Sequence, residues 1–316
     1  MNLYKVVLVP IFVGSTVISC GGAANPPANS GTSGAADSTP TSDAKSSESA
    51  ASPTETGKST ASSAGAADIA TGLQTLEKRA ASLDFDLNLS KHGQGSGIQH
   101  GEWSFSEDRT LRVKKAKDNK ILELEVVYGK WEAKPLLGLT YEVPTDGKTY
   151  LLSLTDKLNI VHGSEKASPA EEKAVSSEYG WVGNPSPLHK ALIDAKLAPD
   201  SHLPTSAPIS AALLGAIPGV DVAHAGIMVT IKSVKAQPRQ TATLEVAGSF
   251  RISSKKTAFD IELKGPAEVD VATGWVQSMD LQGTATISGQ TDVPKKGAMD
   301  VDGKGKFTIS RHSELH

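Results

Sequence analysis

The chain has 316 residues, a formal net charge of −3, few aromatic residues and a single cysteine. Near-neutrality gives no concentrated basic footprint, so nucleic acid is excluded as a partner. One cysteine excludes an intramolecular disulfide framework and any multi-thiolate zinc or iron–sulfur site.

The N-terminus opens with one basic side chain, Lys5, followed by an apolar run from Val6 to Ile18 broken by Pro10, Gly14, Ser15 and Thr16. At about 13 residues this run is too short to cross a ~30 Å hydrocarbon core as a permanent helix, and it suits the apolar region of a signal peptide. It ends at Val17-Ile18-Ser19-Cys20, the site of the only cysteine, with Gly21 and Gly22 behind it. This tetrad resembles the bacterial lipobox: an aliphatic residue three before the cysteine, a small residue directly before it. The resemblance implies a signal peptide over residues 1–19, diacylglycerol on the Cys20 sulfur, cleavage before Cys20 and acylation of the new amino group. Several acyl chains together anchor where one would not. The departures from the common pattern are Val17 in place of leucine and the single upstream lysine. With glycine rather than aspartate at 21, the same resemblance points to the outer membrane of a bacterial cell envelope.

Gly21 to Ala66 contains almost only Ala, Ser, Gly, Thr and Pro, with no Val, Leu, Ile, Met or aromatic residue. Such a segment has nothing to bury against the cost of ordering its backbone, and residues 20–66 read as a lipidated cysteine on a disordered tether. A flexible coil of this length has an end-to-end distance of roughly 35–40 Å.

From residue 67 to 316 the composition is that of a globular domain. Ile69, Leu73, Leu76 and Ala80 recur at helical spacing and predict a short entry helix. Leu83, Phe85, Leu87 and Leu89 alternate with polar residues and predict a strand. Over Leu111–Val126 a turn at Asp118-Asn119 sets Lys114 opposite Glu123, Arg112 opposite Glu125, Val113 opposite Leu124 and Leu111 opposite Val126. Over Leu139–Leu154 a turn at Asp146-Gly147 sets Val143 opposite Tyr150, Tyr141 opposite Leu152 and Leu139 opposite Leu154.

Helices are expected near 168–217. Ser168-Pro169-Ala170-Glu171 has an N-cap, proline at the first position and glutamate at the third. Ser186-Pro187 opens a second helix with Leu188, Ala191, Leu192 and Ala195 on one face. A third apolar piece, Ile209 to Ile217, is closed by Pro218-Gly219. Strands are then predicted over Ile227–Val234, Ala242–Ile252, Ala258–Leu263, Ala267–Val271, Trp275–Ile287 and Ala298–Ile309. Ala272-Thr273-Gly274 reads as a hairpin loop and Asp302-Gly303 as a further turn, with Gly303-Lys304-Gly305-Lys306 as a basic hairpin.

Without βαβ alternation a parallel doubly wound sheet is disfavoured. The expected class is mainly β (α+β): an antiparallel curved sheet or partly open barrel with a few inserted helices, or alternatively a β-sandwich. In element order alone the first is similar to periplasmic lipoprotein carriers and their receptors, a similarity that transfers no residue.

No catalytic motif is present. His92, His100, His162, His189, His202, His224, His312 and His316 fall in no metal-ligand spacing, and no metal or cofactor is expected. Gly93-Gln94-Gly95-Ser96-Gly97 has the wrong spacing for a nucleophile elbow. Asp300-Val301-Asp302-Gly303 lacks the later oxygen ligands of a calcium loop, and reads as a turn. Asp84, Asp86 and Asn88 share one strand face and read as solvated polar alternation. Trp181, beside Gly180 and Gly183, reads as packing of a helix on the sheet. Cys20, with Val17, Ile18 and Ser19 before it, is thus the one residue with an assigned chemical role; the ligand-binding residues of the domain are unknown from sequence. The expected function is a non-enzymatic, membrane-anchored binding or structural module with a protein partner. The alternatives are a carrier or sensor of an apolar ligand such as lipid, and an envelope hydrolase with a dispersed site.

Overall fold

The computed structural model describes residues 68–91, 94–134, 143–215, 217, 225–236, 238–254, 256–293 and 297–316. Val17, Ile18, Ser19, Cys20 and the tether lie outside these residues, as do Leu139, Tyr141, His92, His224 and Pro218-Gly219.

The first half of the domain is a run of strands: β1 (Gln74–Lys91), β2 (Gln94–Lys117), β3 (Lys120–Tyr128), β4 (Glu132–Lys134), β5 (Thr149–Leu154), β6 (Leu158–His162) and β7 (Glu165–Lys166). Helices α1 (Pro169–Tyr179), α2 (Pro187–Asp194) and α3 (Ala207–Leu214) follow, with the short strand β8 (His202–Leu203) between the last two. The second half is β9 (Gly226–Lys235), β10 (Thr241–Ser254), β11 (Thr257–Asp270), β12 (Val276–Val293) and β13 (Gly297–Leu315).

All strands join one antiparallel sheet in the order β7-β6-β5-β3-β2-β1-β13-β12-β11-β10-β9-β8, with β4 continuing alongside β2. Two meanders therefore run outward from a central seam where the first strand, β1, pairs with the last, β13. Among the described residues one continuous sheet forms, with no second sheet to make a sandwich. The curved open sheet with inserted helices is what forms. Its edge strands, β7 and β8, have two residues each, which shortens the ladder offered to another chain.

The helices begin where their caps dictate. The Ser168 side chain accepts from the Glu171 backbone, and the Glu171 carboxylate accepts from the Ser168 N–H at 2.7 Å. Ser186 caps α2 in the same position, and Leu188, Ala191 and Leu192 are buried.

Several expectations need correction. The entry helix does not form: Gln74 begins β1, whose inward positions are Thr75, Glu77 and Arg79, while Leu76 faces outward and is 37% exposed. The apolar residues fell at helical spacing by coincidence, because the buried positions of this strand end are polar.

In the β2–β3 hairpin, Asp118 and Asn119 take φ of 52° and 55°, as a type I′ turn requires. Arg112, Val113 and Leu111 pair as expected, but a bulge shifts Glu123 from Lys114 to Lys115.

Tyr150 does not pair with Val143. It sits between Val126 and His162, because β3 and β6 occupy both sides of β5.

Asp302-Gly303 and Gly303–Lys306 are no turn but the middle of β13, and Ala258–Leu263 and Ala267–Val271 are one strand, β11. Glycine at 303 and 305 answers to close approach: a Cβ would lie 2.3 Å from the Asp86 carbonyl oxygen and 2.6 Å from that of Asp84, respectively.

Those glycines help the sheet curl. Phe85 on β1 lies between Gly305 and Gly101 in register, and a Cβ on Gly101 would meet its ring at 2.5 Å. Phe85 and Phe259 have ring centroids 6.2 Å apart, and Phe250 and Phe307 5.5 Å apart. Each pair is separated by two intervening strands, which puts their backbones roughly 14 Å apart in a flat sheet. The rings meet because the sheet wraps its concave face inward.

Candidate functional site

At the end of the sheet covered by helices, the apolar face gives way to charge. β1 contributes Glu77 and Arg79, β2 contributes Glu107 and Arg109, β13 contributes Arg311, and the last turn of α1 contributes Glu178 and Tyr179; all are buried. Register sets Glu77 opposite Arg109 and Arg79 opposite Glu107, with Arg311 on the far side of Arg79. Each glutamate on the sheet thus has an arginine beside it.

Glu178 closes this layer from above. Its Oε1 accepts from Arg109 at 3.1 Å and its Oε2 from Arg79 at 3.1 Å, with a further short bond from Arg109 to Oε2. Arg109 also donates to Glu107 at 2.6 Å and to the Tyr179 hydroxyl at 3.2 Å, and its guanidinium stacks 4.5 Å above the Tyr128 ring. Arg311 donates to Glu77 at 2.9 Å and to the Ala212 and Leu213 carbonyls at 2.6 and 3.1 Å, near the C-terminus of α3. Charged donors are well placed there, since they complement the negative end of a helix.

Burial alone would raise the Glu178 carboxyl, but Arg109 and Arg79 outweigh it and hold it down at about 2. Glu77 is likewise raised by burial and lowered more by Arg311, Arg79 and Arg109. Burial pushes the Tyr179 and Tyr128 phenols up, so both stay neutral. Three arginines and three glutamates compensate one another. Buried charges are retained at acceptable cost only when paired in this way. The arrangement clamps α1 and α3 to the sheet.

Comparison with protein-family models finds no match, and comparison with curated proteins finds none. Among solved structures, one similar chain is described as "lipid-protein interactions in lipovitellin": 7% identity, TM-score 0.32, covering 77% of this chain and 25% of that one. The chain thus spans about a quarter of that relative's length. A second is Pseudomonas aeruginosa OpdQ: 7% identity, TM-score 0.16, covering 77% of this chain and 98% of that one.

Of the residues weighed from sequence, Trp181 lies beside this layer and the acidic and histidine residues lie elsewhere in the fold. Asp84 and Asp86 flank His100 on the outer face, with Asp86 3.2 Å from it, and Asn88 donates to Asp302. Among the described residues no group of three or more His, Cys, Asp or Glu is arranged to hold a metal. Trp181 donates to the Glu178 carbonyl at 3.0 Å and packs against the apolar cluster under α1.

Sequence reasoning missed the charged layer. Its signal was present as Glu77-Lys78-Arg79 and Glu107-Asp108-Arg109, the same Glu-x-Arg spacing in two strands that pair antiparallel.

Proposed function

We propose that this chain is a non-enzymatic lipoprotein of a bacterial cell envelope, held at the membrane through Cys20 and acting as a binding or structural module for a protein partner. The observation that carries the domain's part is a concave face filled by its own side chains. From Phe85, Phe259 and Phe307 at the curled end to Val126, Tyr150 and Leu152, which share a cluster with Val175 and Tyr179 of α1, that face is buried. Among the described residues, the partly open crevice at the helical cover holds about 20 Å³, against roughly 300–1,000 Å³ for a small-molecule site. Two open grooves of about 540 and 440 Å³ have mixed linings, with Phe250 and Ile261 beside Arg251, Asp260 and Glu262 in the first and Ala81 and Phe105 beside Ser104, Glu132 and Lys134 in the second. No helix among the described residues is long and apolar enough to cross a membrane; the anchor reading rests on the lipobox-like Val17-Ile18-Ser19-Cys20.

Two experiments test the reading. Cys20→Ala should abolish palmitate labelling and release the protein from membranes; retention without Cys20 would refute the anchor. Native mass spectrometry of the Cys20→Ala chain purified from cells should show the polypeptide mass alone. Stoichiometric co-purifying lipid would replace the module reading with that of an apolar-ligand carrier.

A further inference from the structure

We infer that the charged layer includes a binding site for one resident water molecule, where α1, α3 and the β11–β12 hairpin meet. The space there, about 20 Å³, is lined among others by Tyr179, Ser186, Ala212, Trp275 and Arg311. A cavity needs roughly 10–15 Å³ of such space to hold a water, so it takes one molecule and little more.

Two of the lining residues bring N–H groups with no acceptor among the described residues: the Trp275 Nε1 and the Arg311 Nε. Trp275 is 5% exposed and Arg311 7%, so bulk solvent does not serve them. A buried donor left unsatisfied costs about 1–3 kcal/mol. The ligand must therefore be a small acceptor.

Charge selects among acceptors. The three arginines and three glutamates around the site already balance, and a halide or carboxylate would leave an uncompensated negative charge in a buried layer. Water is neutral, accepts from two donors, and keeps two protons to give. Glu178 also lines the space, and the layer's oxygen acceptors are candidates for one of them. Buried waters with about three such bonds are structural parts of a fold.

The test uses the Cys20→Ala chain in solution. The indole proton of Trp275 should show a cross-peak at the water frequency with the sign of a slowly tumbling, protein-bound water. Trp275→Phe, which keeps most of the ring and removes the donor, should assign that peak by deleting it. A crystal structure of the unmodified domain gives a reading that needs no variant: one ordered water within hydrogen-bond distance of Trp275 Nε1 and Arg311 Nε supports the site. A dry junction with both donors on protein acceptors, or bromide density there after a soak, would overturn it.

Discussion

Replacing Glu178 with alanine should destabilise the domain by about 3–5 kcal/mol, the cost of stranding a charge in a buried network. The substitution removes the carboxylate that both Arg109 and Arg79 address, and leaves three arginines facing two glutamates. Urea unfolding should show the midpoint falling with the slope unchanged. An exposed pair is the control: Arg251 and Asp260 are 3.5 Å apart with side chains 61% and 54% exposed, and Asp260→Ala should cost less than about 1 kcal/mol. The pH dependence follows from the same geometry. Glu178 is held at about 2 against an ordinary 4.5. Its contribution is therefore fully present above pH 4.5 and is lost as pH falls through 2. Glu178→Gln should flatten the stability profile over that window; an unchanged profile would show that the carboxylate is not held by the arginines.

What the sequence revealed and what it hid divide along one physical line. The β2–β3 hairpin was legible because the pairing of Arg112 with Glu125 and of Val113 with Leu124 agreed on one register. The start of α1 was legible because Ser168, Pro169 and Glu171 act within a single turn. Signals failed where a residue's role depended on distant partners. Glu77 and Arg79 become buried only once β2, β13 and α1 surround them, so the start of β1 carries no apolar alternation, and the spacing of Ile69, Leu73, Leu76 and Ala80 points to a helix instead. Gly303 looks like a turn until β1 lies against it. Tyr150 looks like the partner of Val143 until β3 takes that place. The charged layer was hidden for the same reason: its six members come from four elements, and only the Glu-x-Arg spacing is local.

Phe307→Ala tests the other half of the interior, the filled curl, and should cost about 3–5 kcal/mol. Phe307 is fully buried, stacks on Trp103 at 6.0 Å and meets Phe250 edge-on at 5.5 Å. Its neighbours in register are Leu83 and Gly283, and glycine offers nothing with which to fill the gap. Collapse is further limited because the curl is set by backbone contacts at Gly303 and Gly305. The loss should therefore sit at the upper end of the range. Four residues along β13 separate Phe307 from Arg311, roughly 13 Å of strand. The Phe307→Ala and Glu178→Ala effects should consequently add to within about 0.5 kcal/mol, as independent sites do. The vacated space is apolar and should stay dry, so xenon or benzene should bind the variant and raise its melting temperature. The unmodified protein should show no such shift. If it binds apolar probes as well as the variant does, the concave face is not filled, and the domain carries an apolar ligand instead of serving as a packed interaction module.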